Sequence, residues 1–291
     1  MSNTSCVLSS KSQIEYYIIM NLPVVPKKSL GQNFLNSTRV LTRIVEATDL
    51  KTDETIIEIG PGLGALTEML LKSSKKVVAI EKDDTLYSIL LEKFANEIKK
   101  GSLLLIHKDI QDFDPKTLKL PKGSVYKIAA NIPYNITGII IRQFLTTEFQ
   151  PEKMVLLIQK EVATRILAKD KKESLLSLSV KAYGEPKLVT HVARGNFNPV
   201  PNVDSSVIEI NAISRKYFKN HDVENLFFKI IHAGFGHKRK MLIKNMLDEK
   251  IGTREQWEQV LQQRKLSLSI RSEDLTIDDW IFITNVLYNN K

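Results

Sequence analysis

Thr55-Ile56-Ile57-Glu58-Ile59-Gly60-Pro61-Gly62-Leu63-Gly64 is an apolar, β-branched run that ends in three alternate glycines. Isoleucine and threonine favour extended backbone, and glycines directly after them let the chain turn tightly into a helix and let a ligand approach the main chain. Four similar runs follow, at Val77–Glu81, Leu103–Lys108, Tyr126–Ala130 and Met154–Gln159. Amphipathic stretches around Leu66–Lys72, Thr85–Lys99, Ile136–Thr147 and Lys160–Ala168 separate or follow them. Near-continuous apolar strands alternating with helices predict an α/β fold, a mostly parallel sheet covered on both faces. Lys187–Arg194 and Ser206–Ile213 read as strands joined by a proline-rich turn, an antiparallel pair closing one edge. From Val223 onward only helical periodicity remains, near 223–234, 239–249, 254–263 and 276–288. The expected organisation is a disordered extension over 1–25, an α/β domain over 26–213 and a small all-α domain over 214–291.

Composition narrows the functional class. With 291 residues, 43% of them hydrophobic, the chain is long and apolar enough to fold. Lys and Arg (42) exceed Asp and Glu (33), giving +9. Residues 1–150 hold 19 basic and 16 acidic side chains and 151–291 hold 23 and 17, so the second part carries +6. Such an excess suits an acidic partner, nucleic acid or an anionic surface. The single cysteine, Cys6, excludes an intrachain disulfide and a cysteine zinc cage, and the five scattered histidines lead us to expect no metal. No apolar run approaches the roughly 18 residues of a membrane span. Glu15 interrupts the apolar patch near the start and residues 1–38 contain no arginine, so we expect neither a secretory nor a transit leader, a cytoplasmic protein, and Met20 as an alternative start.

The candidate ligand site begins at the glycine loop. Its spacing is Gly60-x-Gly62-x-Gly64, unlike the G-x-G-x-x-G of dinucleotide sites, and no Lys-Ser/Thr follows to cradle phosphates. Glu58 before it suits an ammonium group. Glu81 ends the next strand, 21 residues after Gly60, where a carboxylate accepts both hydroxyls of a ribose. A ligand with a ribose, an amino group and no phosphate fits S-adenosylmethionine (SAM), with NAD the main rival. Asp109, after the third run, stands where it can accept from an adenine amine or simply cap a helix.

Asn131-Ile132-Pro133-Tyr134 ends the fourth run at the same sheet edge. An exocyclic adenine amine is a poor nucleophile because its lone pair is delocalised into the ring. Acceptors on its hydrogens, the Asn131 side chain and the Ile132 carbonyl, favour pyramidalisation and free that pair. Pro133 stiffens the turn, and Tyr134 offers a flat face to a flipped base. Phe197, opening Phe197-Asn198-Pro199-Val200-Pro201, is placed to sandwich the base from the other side. Lys238, Arg239 and Lys240, with Lys244 one helical turn on, read as a basic helix for phosphate contact.

Ser29–Leu35, Glu58–Gly64, Asn131–Asn135, Gln159–Ala163 and Phe197–Ser205, in that order, resemble the ribosomal RNA adenine dimethyltransferases of the KsgA type, from about Lys27 to the C-terminus. The resemblance implies a Rossmann-like SAM-dependent methyltransferase domain with a seven-stranded sheet, followed by a helical RNA-binding domain. It implies dimethylation at N6 of two adjacent adenines in a hairpin near the 3′ end of small-subunit rRNA, late in subunit assembly; we expect the protein to act as a monomer and without metal. By motif position, Asn33, Leu35, Gly60, Glu81, Asp109 and Asn131 contact the methyl donor, and Asn131, Tyr134 and Phe197 the base. Glu173-Ser174-Leu175-Leu176-Ser177 departs from the Tyr-Gly that family members often carry before Leu-Ser, and His237-Lys238 replaces a more usual Gln-Arg. The erythromycin-resistance (Erm) methylases of large-subunit rRNA share Asn-Ile-Pro-Tyr, but Gly60–Gly64 and Gln159–Ala163 resemble the small-subunit enzymes more. A non-catalytic nucleic-acid-binding factor of the same fold and a glutamine N-methyltransferase are the remaining alternatives.

Overall fold

The computed structural model describes residues 26–27, 30–121, 124–168 and 170–289. Cys6, Met20, Ser29 and the expected extension over 1–25 lie outside these residues. The two-residue strand β1 (Phe34–Leu35) leads into helix α1 (Thr38–Thr48), whose buried Val40, Leu41, Ile44 and Thr48 recur at helical spacing. Then β2 (Thr55–Ile59), α2 (Ala65–Ser73), β3 (Lys76–Glu81), α3 (Asp84–Lys93), α4 (Ala95–Lys99), β4 (Leu103–His107), β5 (Tyr126–Asn131), α5 (Thr137–Thr146) and β6 (Lys153–Gln159) follow. The five long strands pair in parallel in the order β4-β3-β2-β5-β6. Every residue of β2 is buried, as are Tyr126–Ala130 of β5, which is why these runs carry no polar alternation.

Helices α6 (Lys160–Leu167) and α7 (Leu175–Lys181) lead to β7 (Glu185–Val192), the short β8 (Phe197–Asn198) and β9 (Ser205–Asn211). The antiparallel pair expected at one edge forms, but β9 inserts between β6 and β7, giving seven strands ordered β4-β3-β2-β5-β6-β9-β7. Strand alternation divides the core. Ile56, Val77, Ala129 and Val155 face α1 and α2, while Ile57, Val78, Ile128 and Met154 face the opposite way. The order in which successive strands are laid down reverses between the parallel neighbours β2 and β5, so the ends of these two strands form the crevice in which open α/β sheets bind ligands.

Two helical expectations are corrected. The stretch Thr85–Lys99 is broken at Phe94, whose φ of −109° and ψ of 24° interrupt the helix while its ring is buried beneath Gly64. The basic segment is not helical: α8 (His221–Gly234) ends before it, and α9 (Leu242–Asp248) begins after it. His237–Lys240 is a turn between them, so Lys244 does not continue a basic helix face. Buried Asn245 fixes this turn from beneath, its Nδ2 donating to the carbonyls of Gly234 (2.6 Å) and His237 (3.2 Å).

With α10 (Arg254–Gln263) and α11 (Ile277–Asn289), α8 and α9 share one continuous hydrophobic cluster with the adjoining sheet face. A polar hub ties the two parts together. Glu224 of α8 accepts from the Tyr183 hydroxyl and the Arg215 guanidinium, and Arg215 also donates to the carbonyls of Thr146 (2.6 Å) and Thr147 (3.0 Å). Among the described residues no helix is long and apolar enough to cross a membrane.

Candidate functional site

A cleft of about 1030 Å³ lies at the carboxyl ends of β2, β3 and β5, with Glu58, Gly60, Glu81, Asp109, Asn131 and Tyr134 among the residues on its wall. Gly60 and Gly62 hold φ of +65° and +60°, the left-handed region that glycine enters without strain. A Cβ on Gly60 would meet nothing within 4 Å, so the open space beside it belongs to the cleft. Gly64 is different. It is absent from the cleft wall and caps α2 at φ +80°, where a Cβ would stand 2.5 Å from the Phe94 ring. Its place is one of close packing against Leu90 and Phe94 at the end of α3, away from the cleft wall.

Glu58 is 1% exposed at the end of β2, and its Oε2 has no hydrogen-bond partner among the described residues; nor has the nearby Thr67 Oγ1. Burial pushes its carboxyl up to about 8, with the Glu81 charge adding to the rise, while the Lys93 charge and the nearby Thr67 donors, which make no close hydrogen bond to Oε2, oppose it. An orphaned acid at the floor of a cleft calls for a cationic or donating group, which fits the ammonium of SAM. Glu81 is held by main chain instead. Its Oε1 accepts from the amides of Lys82 (2.9 Å) and Asp83 (2.8 Å), and its Oε2 from Gly62 (3.2 Å). Burial raises its carboxyl against those amides. This arrangement orients Glu81 rigidly at the cleft, as a ribose acceptor requires. Asp109 caps a 3-10 turn, accepting from the Gln111 amide at 3.0 Å, and pairs with Lys82 Nζ at 2.6 Å. Burial pushes its carboxyl upward, but Lys82 and Gln111 hold it below the usual value.

The second half of the site comes from β5. Asn131 Nδ2 donates to the Asn33 carbonyl at 3.1 Å, which leaves Oδ1 as the free acceptor end of the amide. Ile132 is buried, its amide donating to Leu157 O at 3.2 Å, and Pro133 turns the chain at φ −55° into a 3-10 turn over Tyr134–Ile136. Half-buried Tyr134 is fixed through its hydroxyl by Ser205 Oγ at 2.8 Å, and burial pushes that phenol up. Asn33 and Leu35 also reach the cleft wall. The cradle therefore brings the buried acid Glu58, the main-chain-held acid Glu81 and the Asn131 amide acceptor onto one crevice.

Phe197 is not where the sequence places it. Pairing of β8 with β1 sets Leu35 opposite Phe197, and strand alternation then sends the Phe197 ring into the core, 2% exposed, and its neighbour Asn198 onto the cleft wall. Three supporting residues are given no role by the sequence reading: Gln32 and Ser205, which lie within its motifs, and Asp83, which lies outside them. Asp83 carries a legible signal as the acid that starts a helix; the partnership of Tyr134 with Ser205, 71 residues away, carries none.

Comparison with known proteins gives a consistent result. The family described as ribosomal RNA adenine dimethylase matches residues 25–289. A ribosomal RNA small subunit methyltransferase A from Dehalococcoides mccartyi is 41% identical over 282 residues, 96% of this chain and 92% of the relative. Its counterpart from Fusobacterium nucleatum is 36% identical, covering 89% and 97%. Among solved structures, a dimethyladenosine transferase from Plasmodium falciparum superposes with a TM-score of 0.70 at 25% identity, covering 86% of this chain and 95% of that one. The 23S rRNA methyltransferase ErmE shares the fold with a TM-score of 0.72 at 22% identity, covering 88% and 100%. The glycine loop, the strand-end acids and the Asn131 turn stand within a match that spans both the sheet and the terminal helices, and the chain belongs to the ribosomal RNA adenine dimethylase family.

Proposed function

We propose that the protein transfers methyl groups from SAM to N6 of two adjacent adenines in a hairpin near the 3′ end of small-subunit rRNA, acting in the cytoplasm as a monomer on a subunit assembly intermediate. One observation carries this reading: the orphaned Glu58 beside the open glycine loop and the Asn131–Tyr134 turn face one cleft at the switch in strand order between β2 and β5. SAM supplies, when bound, an electrophilic methyl on a sulfonium. Glu58 pairs with its ammonium, Glu81 accepts from its ribose, and Gly60 and Gly62 let the main chain approach it. Asp109 is placed for the adenine end, with Lys82 and Gln111 fixing its carboxylate. On the other side, Asn131 Oδ1 and the Ile132 carbonyl accept the target amine's hydrogens, and Tyr134, braced by Ser205, offers its ring to the base. No strong base is needed, because attack precedes loss of the proton. The relatives at 36–41% identity are named for the small subunit, whereas the large-subunit neighbour stands at 22%, which favours the former substrate.

The test is to incubate the protein with labelled SAM and undermethylated small subunits and to map the modified adenines. Label at two neighbouring adenines of one hairpin supports the reading; label in large-subunit rRNA or none at all overturns it. The exposed Lys238 and Arg239, with Lys240 and Lys244, are assigned to phosphate contact. Lys240 already pairs with Asp248 at 2.8 Å, so Lys238 and Arg239 are expected to contribute more. Charge reversal at 238, 239 and 240 should lower subunit affinity and reduce the slope of log affinity against log salt by about 2 to 3, measured by filter binding across a salt series. An unchanged slope moves the RNA face elsewhere.

A further inference from the structure

The segment Leu30–Leu35 runs across the cleft and is tied down on both sides. On the β5 side the Asn33 carbonyl accepts from Asn131, and Asn33 Nδ2 in turn donates to Gly31 O at 3.1 Å. In the middle Phe34 lies against the glycine loop, since a Cβ on Gly62 would come within 3.1 Å of its ring. On the β3 side Asp83 does the holding. Asp83 Oδ2 accepts from Gln32 Nε2 at 3.2 Å and pairs with Lys27 Nζ at 2.7 Å, while the Lys27 amide donates to Gln32 Oε1 at 2.7 Å. The other oxygen of the same carboxylate, Oδ1, caps α3 through the amides of Thr85 (2.9 Å) and Leu86 (3.1 Å), and the Asp83 amide donates to Glu81 Oε1. Asp83 is 3% exposed. It therefore stands between the ribose acceptor and the strap over the cleft, with both oxygens committed to different tasks.

We propose that Asp83 is a positioning residue for cofactor retention, its Oδ2 latching the Leu30–Leu35 strap over the methyl donor that the preceding reading places in this cleft. The division of labour between the two oxygens separates latch from fold. Asn is as good a helix cap as Asp, so Asp83→Asn keeps the Oδ1 contacts with α3. It sets an NH2 where Oδ2 was, facing the Gln32 NH2 and the Lys27 ammonium, donor against donor. The expected result is dissociation of S-adenosylhomocysteine about tenfold faster and KM for SAM higher in proportion, because a charge-assisted contact is lost. The value of kcat at saturating SAM and the melting temperature should stay close to wild type. Adding Gln32→Glu to Asp83→Asn puts an acceptor opposite the new donor and returns a carboxylate to Lys27, and should restore slow dissociation.

Stopped-flow dissociation and calorimetry with S-adenosylhomocysteine, alongside the KM and kcat split, read each of these. Unaltered dissociation in Asp83→Asn, a fall in kcat at constant KM, or a double variant no slower than the single one overturns the latch. A wild-type chain that binds neither SAM nor S-adenosylhomocysteine overturns the methyltransferase reading itself, and the latch with it.

Discussion

Asn131→Ala is expected to lower kcat for methyl transfer by about a thousandfold, the scale set by removing one preorganised polar contact to a reacting group, while subunit affinity stays within about twofold. The reason lies in how the amide is committed. Its Nδ2 donates to the Asn33 carbonyl, so the acceptor end is the one left for a substrate amine. Two acceptors on the amine's hydrogens localise its lone pair for attack; with alanine only the Ile132 carbonyl is left. In the proposed reading RNA affinity rests on phosphate contacts of the C-terminal turn, which this substitution leaves untouched. Asn131→Asp separates acceptor from donor: it retains an oxygen but loses the N–H to Asn33 and sets a carboxylate against that carbonyl, so it too should be slow. Single-turnover rates on undermethylated subunits, with filter binding of the same samples, decide the matter. Near-normal turnover in Asn131→Ala removes the amine-holding role.

How far the sequence foretells this site depends on the range of the interactions involved. β2, β5 and β6 are buried on both faces, so their composition alone marks them as central parallel strands. Gly60, Glu58, Glu81 and Asn131 are legible because local turn chemistry places them at strand ends. The β1–β8 pairing is not, since it joins residues some 160 positions apart, and it alone decides that Phe197 turns inward while Asn198 turns out. The same holds for the basic turn. The charges at 238–240 are visible in the sequence, but their release from helix depends on Asn245 and Ser272, both donating to Gly234 O. Helix α1 is an intermediate case. Its Val40, Leu41, Ile44 spacing is helical, but a reading that works outward from the strand at Thr55 passes over it.

Glu58→Gln should make the ligand-free protein more stable at pH 8, by a few kcal/mol, and weaken SAM binding by roughly a hundredfold. In the folded chain burial lifts this carboxyl to about 8, against an ordinary value of 4.5. Below pH 4.5 both folded and unfolded states hold the proton, and the acid costs nothing. Between 4.5 and about 8 the unfolded chain ionises while the folded one does not, so stability falls by up to about 1.4 kcal/mol for each pH unit. Above 8 both are ionised and the loss levels off. Glutamine stays neutral, so the gain in melting temperature should be absent near pH 4.5 and grow to roughly 9 °C at pH 8 at about 2 °C per kcal/mol. Pairing with a donor's ammonium requires the ionised acid, so SAM binding to the wild type near pH 7 should release a proton, seen as a buffer-dependent calorimetric enthalpy; the variant should release none. Glu81 and Lys93 act on the same carboxyl, one raising and one lowering it, so a residual pH slope in Glu81→Gln and Lys93→Met that vanishes in Glu58→Gln assigns the proton to Glu58. Equal slopes in wild type and Glu58→Gln would place the titrating group elsewhere and leave the orphaned oxygen without a cationic partner.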